Sequence, residues 1–208
     1  RSIVDNNYIQ DSTRGFGFSK SLSPNATGVQ GANGGSPGST KVDSVSSSNM
    51  VVTGPDFSYQ SATYVAWLWR ANGGTTSTNT QGDINSTVQV DPSGCFSIVK
   101  YTGGLSTTGV ETVGHGLSKA PSLFITKSIE KTGNWWVFSD GQTNFNYGMN
   151  LNSTGASTDK SGNGNMSANT STVFSVNATD GSNAPNGDNM IAYCWHSVEG
   201  YSKFGKYE

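Results

Sequence analysis

The sequence has few charged residues, two cysteines and no long hydrophobic run. Two cysteines are too few for a disulfide framework, and the other two shortages each exclude a further class of protein. Charged residues make up 12% of the 208 positions, about half of the usual share of roughly 25%. The 12 basic residues are scattered, whereas a nucleic-acid binder clusters them into a patch. No window approaches the ~20 apolar residues of a membrane-spanning helix. We therefore expect neither a nucleic acid nor a membrane as partner.

Strong helix formers are also scarce, which argues against a helical protein. Ser, Thr, Asn and Gly instead fill about half of the chain, although Gly alone usually takes only about 7%. An aromatic content of 11% argues against disorder, because disordered chains are poor in aromatics. The composition predicts an all-β protein with many polar turns, built as antiparallel β-sandwich or jelly-roll modules.

Short runs rich in Val, Ile, Tyr, Phe and Trp separate turn clusters of Gly, Asn and Pro, as expected for strands. The predicted strands are Met50–Val52, Thr63–Trp69, Thr87–Val90, Cys95–Tyr101, Leu123–Lys127, Trp135–Phe138, Val173–Val176, Met190–Trp195 and Phe204–Tyr207.

One of these runs, residues 64–69, has no polar face, which predicts a strand covered on both sides. Aromatic strands of this kind supply the core of such a fold. The predicted core residues are Trp67, Trp69, Phe96, Tyr193 and Trp195.

The chain resembles itself. Val65-Ala66-Trp67-Leu68-Trp69 matches Ile191-Ala192-Tyr193-Cys194-Trp195, and upstream Asn25-Ala26-Thr27 matches Asn152-Ser153-Thr154 in the same order. Residues 94–101 also resemble residues 200–207. Self-similarity in a fixed order is the signature of a repeat.

The repeat predicts the domain organisation. Residues 1–70 are expected to form the back half of one β module or a first β subdomain, and 71–93 a polar connector. Residues 94–198 are a complete β-sandwich module, and 199–208 are the opening strand of a further one.

Several stretches are specific enough to point to a family. Among them are Thr112-Val113-Gly114-His115-Gly116-Leu117 and Ser197-Val198-Glu199-Gly200-Tyr201-Ser202-Lys203-Phe204. They resemble a module that recurs in large structural proteins of marine tailed bacteriophages, including those of cyanobacteria, often beside concanavalin-like β-sandwich domains. The resemblance implies a virion-surface or fibre protein. It carries over no catalytic, metal-binding or ligand-binding residue.

The residues themselves offer little catalytic chemistry. The two histidines are His115, in a Gly-flanked turn, and His196, after an apolar strand. We interpret His115 as a turn residue and His196 as a strand-end hydrogen-bonding group, because a triad needs a nucleophile, a base and an orienting group held together. The prediction is that the chain is not an enzyme and needs no cofactor.

Two weaker binding candidates remain. Trp135 and Trp136 precede Asp140 and offer aromatic rings on which a sugar can stack, although half-buried sheet positions are the simpler explanation. Asp180 and Asp188 lie in a loop rich in oxygen ligands of the kind that calcium prefers, but they lack the EF-hand spacing. We interpret Cys194, in an apolar run, as a buried free thiol.

The resulting hypothesis is a non-enzymatic structural component of a virion surface: a capsid decoration, a knob or a tail-fibre segment. Its expected partners are other virion proteins and copies of itself, most simply as a trimer, with a host surface glycan as a further candidate. Association is expected to use strand edges and apolar patches. The alternative is a secreted carbohydrate-binding module or adhesin of a marine bacterium.

Overall fold

The computed structural model confirms an all-β protein with the architecture of an antiparallel β-sandwich. Twelve strands are formed by the described residues: β1 Lys41–Val45, β2 Met50–Thr53, β3 Ser77–Asn79, β4 Ser86–Val90, β5 Phe96–Thr102, β6 Val110–Gly114, β7 Leu123–Ser128, β8 Trp136–Ser139, β9 Tyr147–Asn150, β10 Thr158–Asp159, β11 Val173–Asn177 and β12 Asn189–Trp195. The structure describes residues 6–32, 41–54, 57, 61–104, 109–160, 166, 169–177 and 187–206.

One large sheet organises the molecule. Its eight strands run in the order β10-β9-β8-β7-β12-β5-β4-β3, so β12 lies in the middle. All seven residues of β12 pair with β5, and six of them also pair with β7. Two small sheets, β1-β2 and β11-β6, complete the described strands.

The two faces of the large sheet follow from the alternation of side chains along its strands. Met190, Ala192 and Cys194 of β12 point into the first core, between the large sheet and the β6-β11 pair, and Ile191 and Tyr193 point into the second core. The first core is an aromatic cluster centred on Phe124, whose ring stacks on Phe138, Phe145 and Phe174 at centroid distances of 4.9–5.8 Å.

The opposite face is covered by residues 6–32, which carry a short 3-10 turn at Phe18–Lys20. Leu22 and Ile9 from this segment pack on Phe96, Ile98 and Tyr193 in the second core. The two-sided burial explains why β12 is apolar from Met190 to Trp195.

A buried ion pair fastens this covering segment to the sheet. Arg14 Nε lies 2.6 Å from Asp11 Oδ2, and Tyr193 Oη of β12 donates to the same oxygen at 2.7 Å. Burial disfavours the charge on Arg14, but its contacts with Tyr193 and Asp11 outweigh that cost and raise its pKa. We call Asp11, Arg14 and Tyr193 the clamp.

Two predicted strands are wrong. Residues 62–70 carry no regular secondary structure and pair with no described strand, and residues 203–206 are irregular after a turn closed by the Val198–Ser202 bridge. Both runs have strand-like composition, but a strand also needs a neighbour to bond with. The predicted opening strand over 199–208 is therefore absent from residues 199–206, and 207–208 lie outside the described residues.

The prediction that residues 71–93 are only a connector is also wrong. This segment contributes β3 and β4 to the large sheet, and Val88 of β4 lies in the first core. The polar composition of the segment did not indicate these two strands, because only one side chain in two along an outer strand needs to be apolar.

The predicted core is half right. Phe96 and Tyr193 are buried, and Trp195 is partly buried against them. The prediction is wrong for Trp67 and Trp69, whose side chains are 79% and 54% exposed. Their segment lacks the flanking strands that bury β12.

The internal repeat has a structural counterpart in two hairpins, which span residues 6–27 and 134–154. In each, a late asparagine side chain bridges the first two residues of the hairpin. The bonds join Asn7 N to Asn25 Oδ1 (2.8 Å) and Asn25 Nδ2 to Asn6 Oδ1 (3.1 Å), and likewise Trp135 N to Asn152 Oδ1 (2.9 Å) and Asn152 Nδ2 to Asn134 Oδ1 (3.0 Å).

The strand pairing in the two hairpins agrees with these side-chain bonds. Ile9 pairs with Leu22 in the first hairpin, and Val137 pairs with Met149 at the equivalent position of the second. The match of Asn25 with Asn152 is therefore a match of backbone geometry as well as of sequence.

Candidate functional site

The most exposed apolar feature of the described chain is the run Val65-Ala66-Trp67-Leu68-Trp69, which we call the exposed segment. Val65 and Leu68 are exposed as fully as the two tryptophans. Residues 65–69 form no backbone hydrogen bond with any described residue. A contiguous exposed apolar patch is the usual mark of an interaction site.

An aromatic groove of about 330 Å³ lies beside the end of this segment. Trp195 is at its centre, with ring centroids 5.6 Å from Trp69, 5.1 Å from Phe96 and 6.4 Å from Phe204. Tyr201, 81% exposed, lines the same groove. Sequence reasoning placed Trp69 and Trp195 in a core and so missed the groove; their position at the ends of matching runs was the available signal.

The rim of the groove is polar. Partial burial opposes the charge on Asp91, but hydrogen bonds from Ser93 and Cys95 and the nearby Arg70 outweigh it and lower the pKa of Asp91. Cys95 is a free thiol whose Sγ lies 3.4 Å from Asp91 Oδ2. The groove thus combines flat aromatic rings with an anionic and a cationic group.

The predicted sugar platform is wrong. Trp135 is completely buried in the second core, where its Nε1 donates to the Ser23 carbonyl at 2.9 Å. Trp136 is buried in the first core, with Lys160 Nζ 3.9 Å from the centroid of its ring. Neither ring is open to a ligand, because the covering segment and the first core enclose them.

The calcium candidates find no support in the described residues. Asp188 is buried and forms an ion pair with Lys131, so its charge already has a partner. Asp180 lies outside the described residues. Within the described ranges, no three His, Cys, Asp or Glu side chains come close enough to share a metal ion.

The Gly-His-Gly motif has a structural role, as the turn interpretation of His115 predicted. The imidazole is buried; Leu117 N donates to its Nδ1 at 3.0 Å, so Nε2 carries the proton and donates to the Thr170 carbonyl at 3.1 Å. Burial lowers the pKa of His115 and keeps the ring neutral.

The flanking glycines are required by close packing. A Cβ on Gly114 would lie 2.1 Å from Asn79 Oδ1. Gly116 has φ +72°, which L side chains rarely adopt, and its Cβ would lie 2.7 Å from Val90. The motif joins β6 to the sheet.

A serine–histidine pair was missed from sequence. Ser118 Oγ lies 3.0 Å from His196 Nε2, and His196 Nδ1 lies 2.9 Å from the Ser197 carbonyl. The Ser118 hydroxyl also donates to the Gly94 carbonyl at 3.3 Å, so two acceptors share its single proton. The pair holds the turn after β6 against the end of β12, and the strand-end role predicted for His196 is confirmed.

Lys127 of β7 is a fully buried lysine without an acidic partner among the described residues. Its Nζ donates to the carbonyls of Ser128 at 2.7 Å and Lys131 at 3.1 Å. Burial lowers the pKa of Lys127 from 10.5 to about 8, because a charged amine loses its hydration in the sheet.

Stability is therefore expected to rise as the pH increases from about 8 towards 10. In this window the folded chain has released the Lys127 proton while the unfolded chain retains it, and stability rises wherever the unfolded state binds more protons. The full effect is about 3 kcal/mol in the free energy of unfolding. Urea titrations at stepped pH values measure it.

Lys127→Met should flatten this rise relative to Lys100→Met, which removes an exposed lysine from β5, on the far side of β12. Subtracting the control removes the ionisation of tyrosines and other lysines. Parallel pH profiles for the two variants would show that Lys127 stays charged in the folded state.

No helix in the described part of the chain is long and apolar enough to cross a membrane. No curated protein and no solved structure shows significant similarity to the chain. One family does match, over residues 1–208, under the description "Domain of unknown function (DUF7483)". Because the match covers the whole sequence, the chain belongs to this family.

Proposed function

We propose that the chain is a non-enzymatic structural module of a virion surface, used as a capsid decoration, a knob or part of a tail fibre. Its neighbours are other virion proteins and copies of itself, most simply arranged as a trimer. The exposed segment is the contact surface. The resemblance to marine phage structural modules supports the location, and the exposure of the segment supports its role as the contact surface.

The observation that carries the proposal is the combination of a closed core with one open apolar segment. Both faces of the large sheet are covered, so most of its aromatic residues are buried in the two cores. Val65, Trp67 and Leu68 are left in contact with solvent. A protein presented in many copies has a use for such a surface, whereas a free monomer risks aggregation.

The edges of the large sheet are poor attachment points, contrary to the expectation that strand edges drive assembly. The outer strands are β3, with the sequence Ser-Thr-Asn, and β10, with the sequence Thr-Asp. Short, polar edge strands resist pairing with a neighbour. The geometry therefore favours association through the exposed segment.

Mass spectrometry of purified phage particles tests the proposal. We expect peptides of this chain in intact particles at a fixed copy number, with a multiple of three for a trimeric knob or fibre. Washing in high salt should not release it, because an apolar contact is not weakened by screening. A chain found only in the soluble secreted fraction of a bacterial culture would contradict the proposal.

A glycan-binding adhesin is the second candidate, and the aromatic groove favours it. Sugars stack on exposed rings, and Trp69 and Tyr201 line the groove beside Arg70 and Asp91. Binding on a glycan array that is lost in Trp69→Ser and Tyr201→Ser but kept in Trp67→Ser would support this role. Equal binding by all three variants would exclude the groove as the sugar site.

A further inference from the structure

The exposed segment corresponds residue by residue to the buried centre of β12. Val65 to Trp69 match Ile191 to Trp195 in sequence. The hairpin at residues 6–27, which precedes the exposed segment, repeats the hairpin at 134–154, which precedes β12, in both its side-chain and its backbone hydrogen bonds. Two independent landmarks thus place the segment at the β12 position of a second copy of the fold.

The two copies differ in what flanks them. β12 lies between β5 and β7, and Ile191, Ala192 and Cys194 are completely buried. At the equivalent positions Val65, Ala66 and Leu68 are exposed and have no backbone partner among the described residues. The same kind of sequence is therefore buried where two strands flank it and open where they are missing.

The composition of the segment predicts cover on both faces, and its backbone forms no hydrogen bond with the described residues at either edge. A strand with one solvent-exposed face alternates apolar and polar residues, whereas a central strand of a sheet that is buried on both faces is apolar throughout. Residues 65–69 contain no polar side chain. A single added strand, or a partner covering one face, would leave part of the segment exposed.

We propose that the exposed segment is the central strand of a second sheet of this same kind, completed by the β5-type and β7-type strands of another module of this family. The proposal rests on the proposed structural function and names the partner of that contact. Within this chain β5 and β7 are already bonded to β12, so the completing strands come from a module whose own β12 position is open.

The repeat defines the experiment. Because Asn6 takes the place of Asn134, residues 72–133, which contain β3 to β7, can be joined directly in front of Asn6 of the full chain. The added half-module contains no tryptophan, so fluorescence still reports only the five original indoles. Hydrogen exchange of the peptide that spans residues 65–69 is compared in the full chain and in the fusion.

We expect the amides of residues 65–69 to exchange at least ~100-fold more slowly in the fusion, because strand amides open only with the sheet. Acrylamide quenching of tryptophan fluorescence should fall as Trp67 becomes buried. Trp67→Lys is the matched variant: it is harmless where Trp67 is 79% exposed but places a lysine in the completed sheet, so protection should disappear in the fusion only.

Protection of β12 in the same samples is the internal standard. Fast exchange at residues 65–69 with β12 still protected would overturn the proposal, as would protection that survives Trp67→Lys. If the fusion does not fold, excess 72–133 is added as a separate polypeptide to the full chain, and failure to protect residues 65–69 there also overturns it. Protection by an unrelated apolar peptide of equal length would show a non-specific apolar surface. The particle analysis is independent of these results.

Discussion

Arg14→Met is expected to lower the free energy of unfolding by about 3–5 kcal/mol. Arg14 and Asp11 are nearly fully buried, and removing the guanidinium leaves the Asp11 carboxylate inside the protein without its cation. The Arg14 Nη1 bonds to the Lys20 carbonyl and to Gln30 Oε1 are lost at the same time. Urea denaturation at pH 7, followed by tryptophan fluorescence, measures the change.

Arg70→Met is the matched control, because Arg70 is exposed and surface substitutions usually change stability by less than about 0.5 kcal/mol. The double variant Asp11→Asn with Arg14→Met should lower the free energy of unfolding by less than Arg14→Met alone, since no buried charge is then left unpaired. If Arg14→Met and Arg70→Met lowered the free energy of unfolding equally, the clamp would not be what holds the covering segment to the sheet.

Trp135→Ala is expected to lower the free energy of unfolding by about 3–5 kcal/mol, because a completely buried indole is replaced by a cavity. The Ser23 carbonyl also loses its donor. The thermal midpoint and the urea midpoint should both fall. Trp67→Ala makes the same chemical change at an exposed position and should be nearly neutral for the isolated chain.

This pair of variants reverses the ranking that the sequence suggests, in which Trp67 is a core residue and Trp135 a binding residue. A cost for Trp67→Ala as large as that for Trp135→Ala would show that the exposed segment packs against the rest of the chain in solution. Loss of glycan binding in Trp135→Ala would report unfolding and not a lost sugar contact.

Sequence patterns predicted several strands that carry aromatic and β-branched residues, including β5, β7, β8, β11 and β12. They missed β1 and β6, whose valines are interrupted by charged or polar residues, β9, whose Tyr and Met flank a glycine, and the polar strands β3 and β10. Such strands form because a neighbouring strand offers backbone hydrogen bonds. A pattern read along one sequence does not show which segments will become neighbours.

The exposure of individual tryptophans was beyond prediction for the same reason. Trp67 and Tyr193 occupy equivalent positions in matching runs, yet the first is open and the second buried. Trp135 is enclosed by Ser23 and Leu22, which lie more than a hundred residues earlier in the sequence. Local composition identified these residues as strand formers, whereas the long-range arrangement of the chain decided which of them are exposed to solvent.

The hairpin at residues 6–27 belongs to the predicted half-module 1–70, yet it packs on a sheet built mainly from strands of the predicted module 94–198. The boundary of the folded unit therefore differs from the boundary of the predicted repeat. Pulling the hairpin away from the sheet would have to open a buried apolar contact and break the clamp, whereas a flexible linker would offer no such resistance.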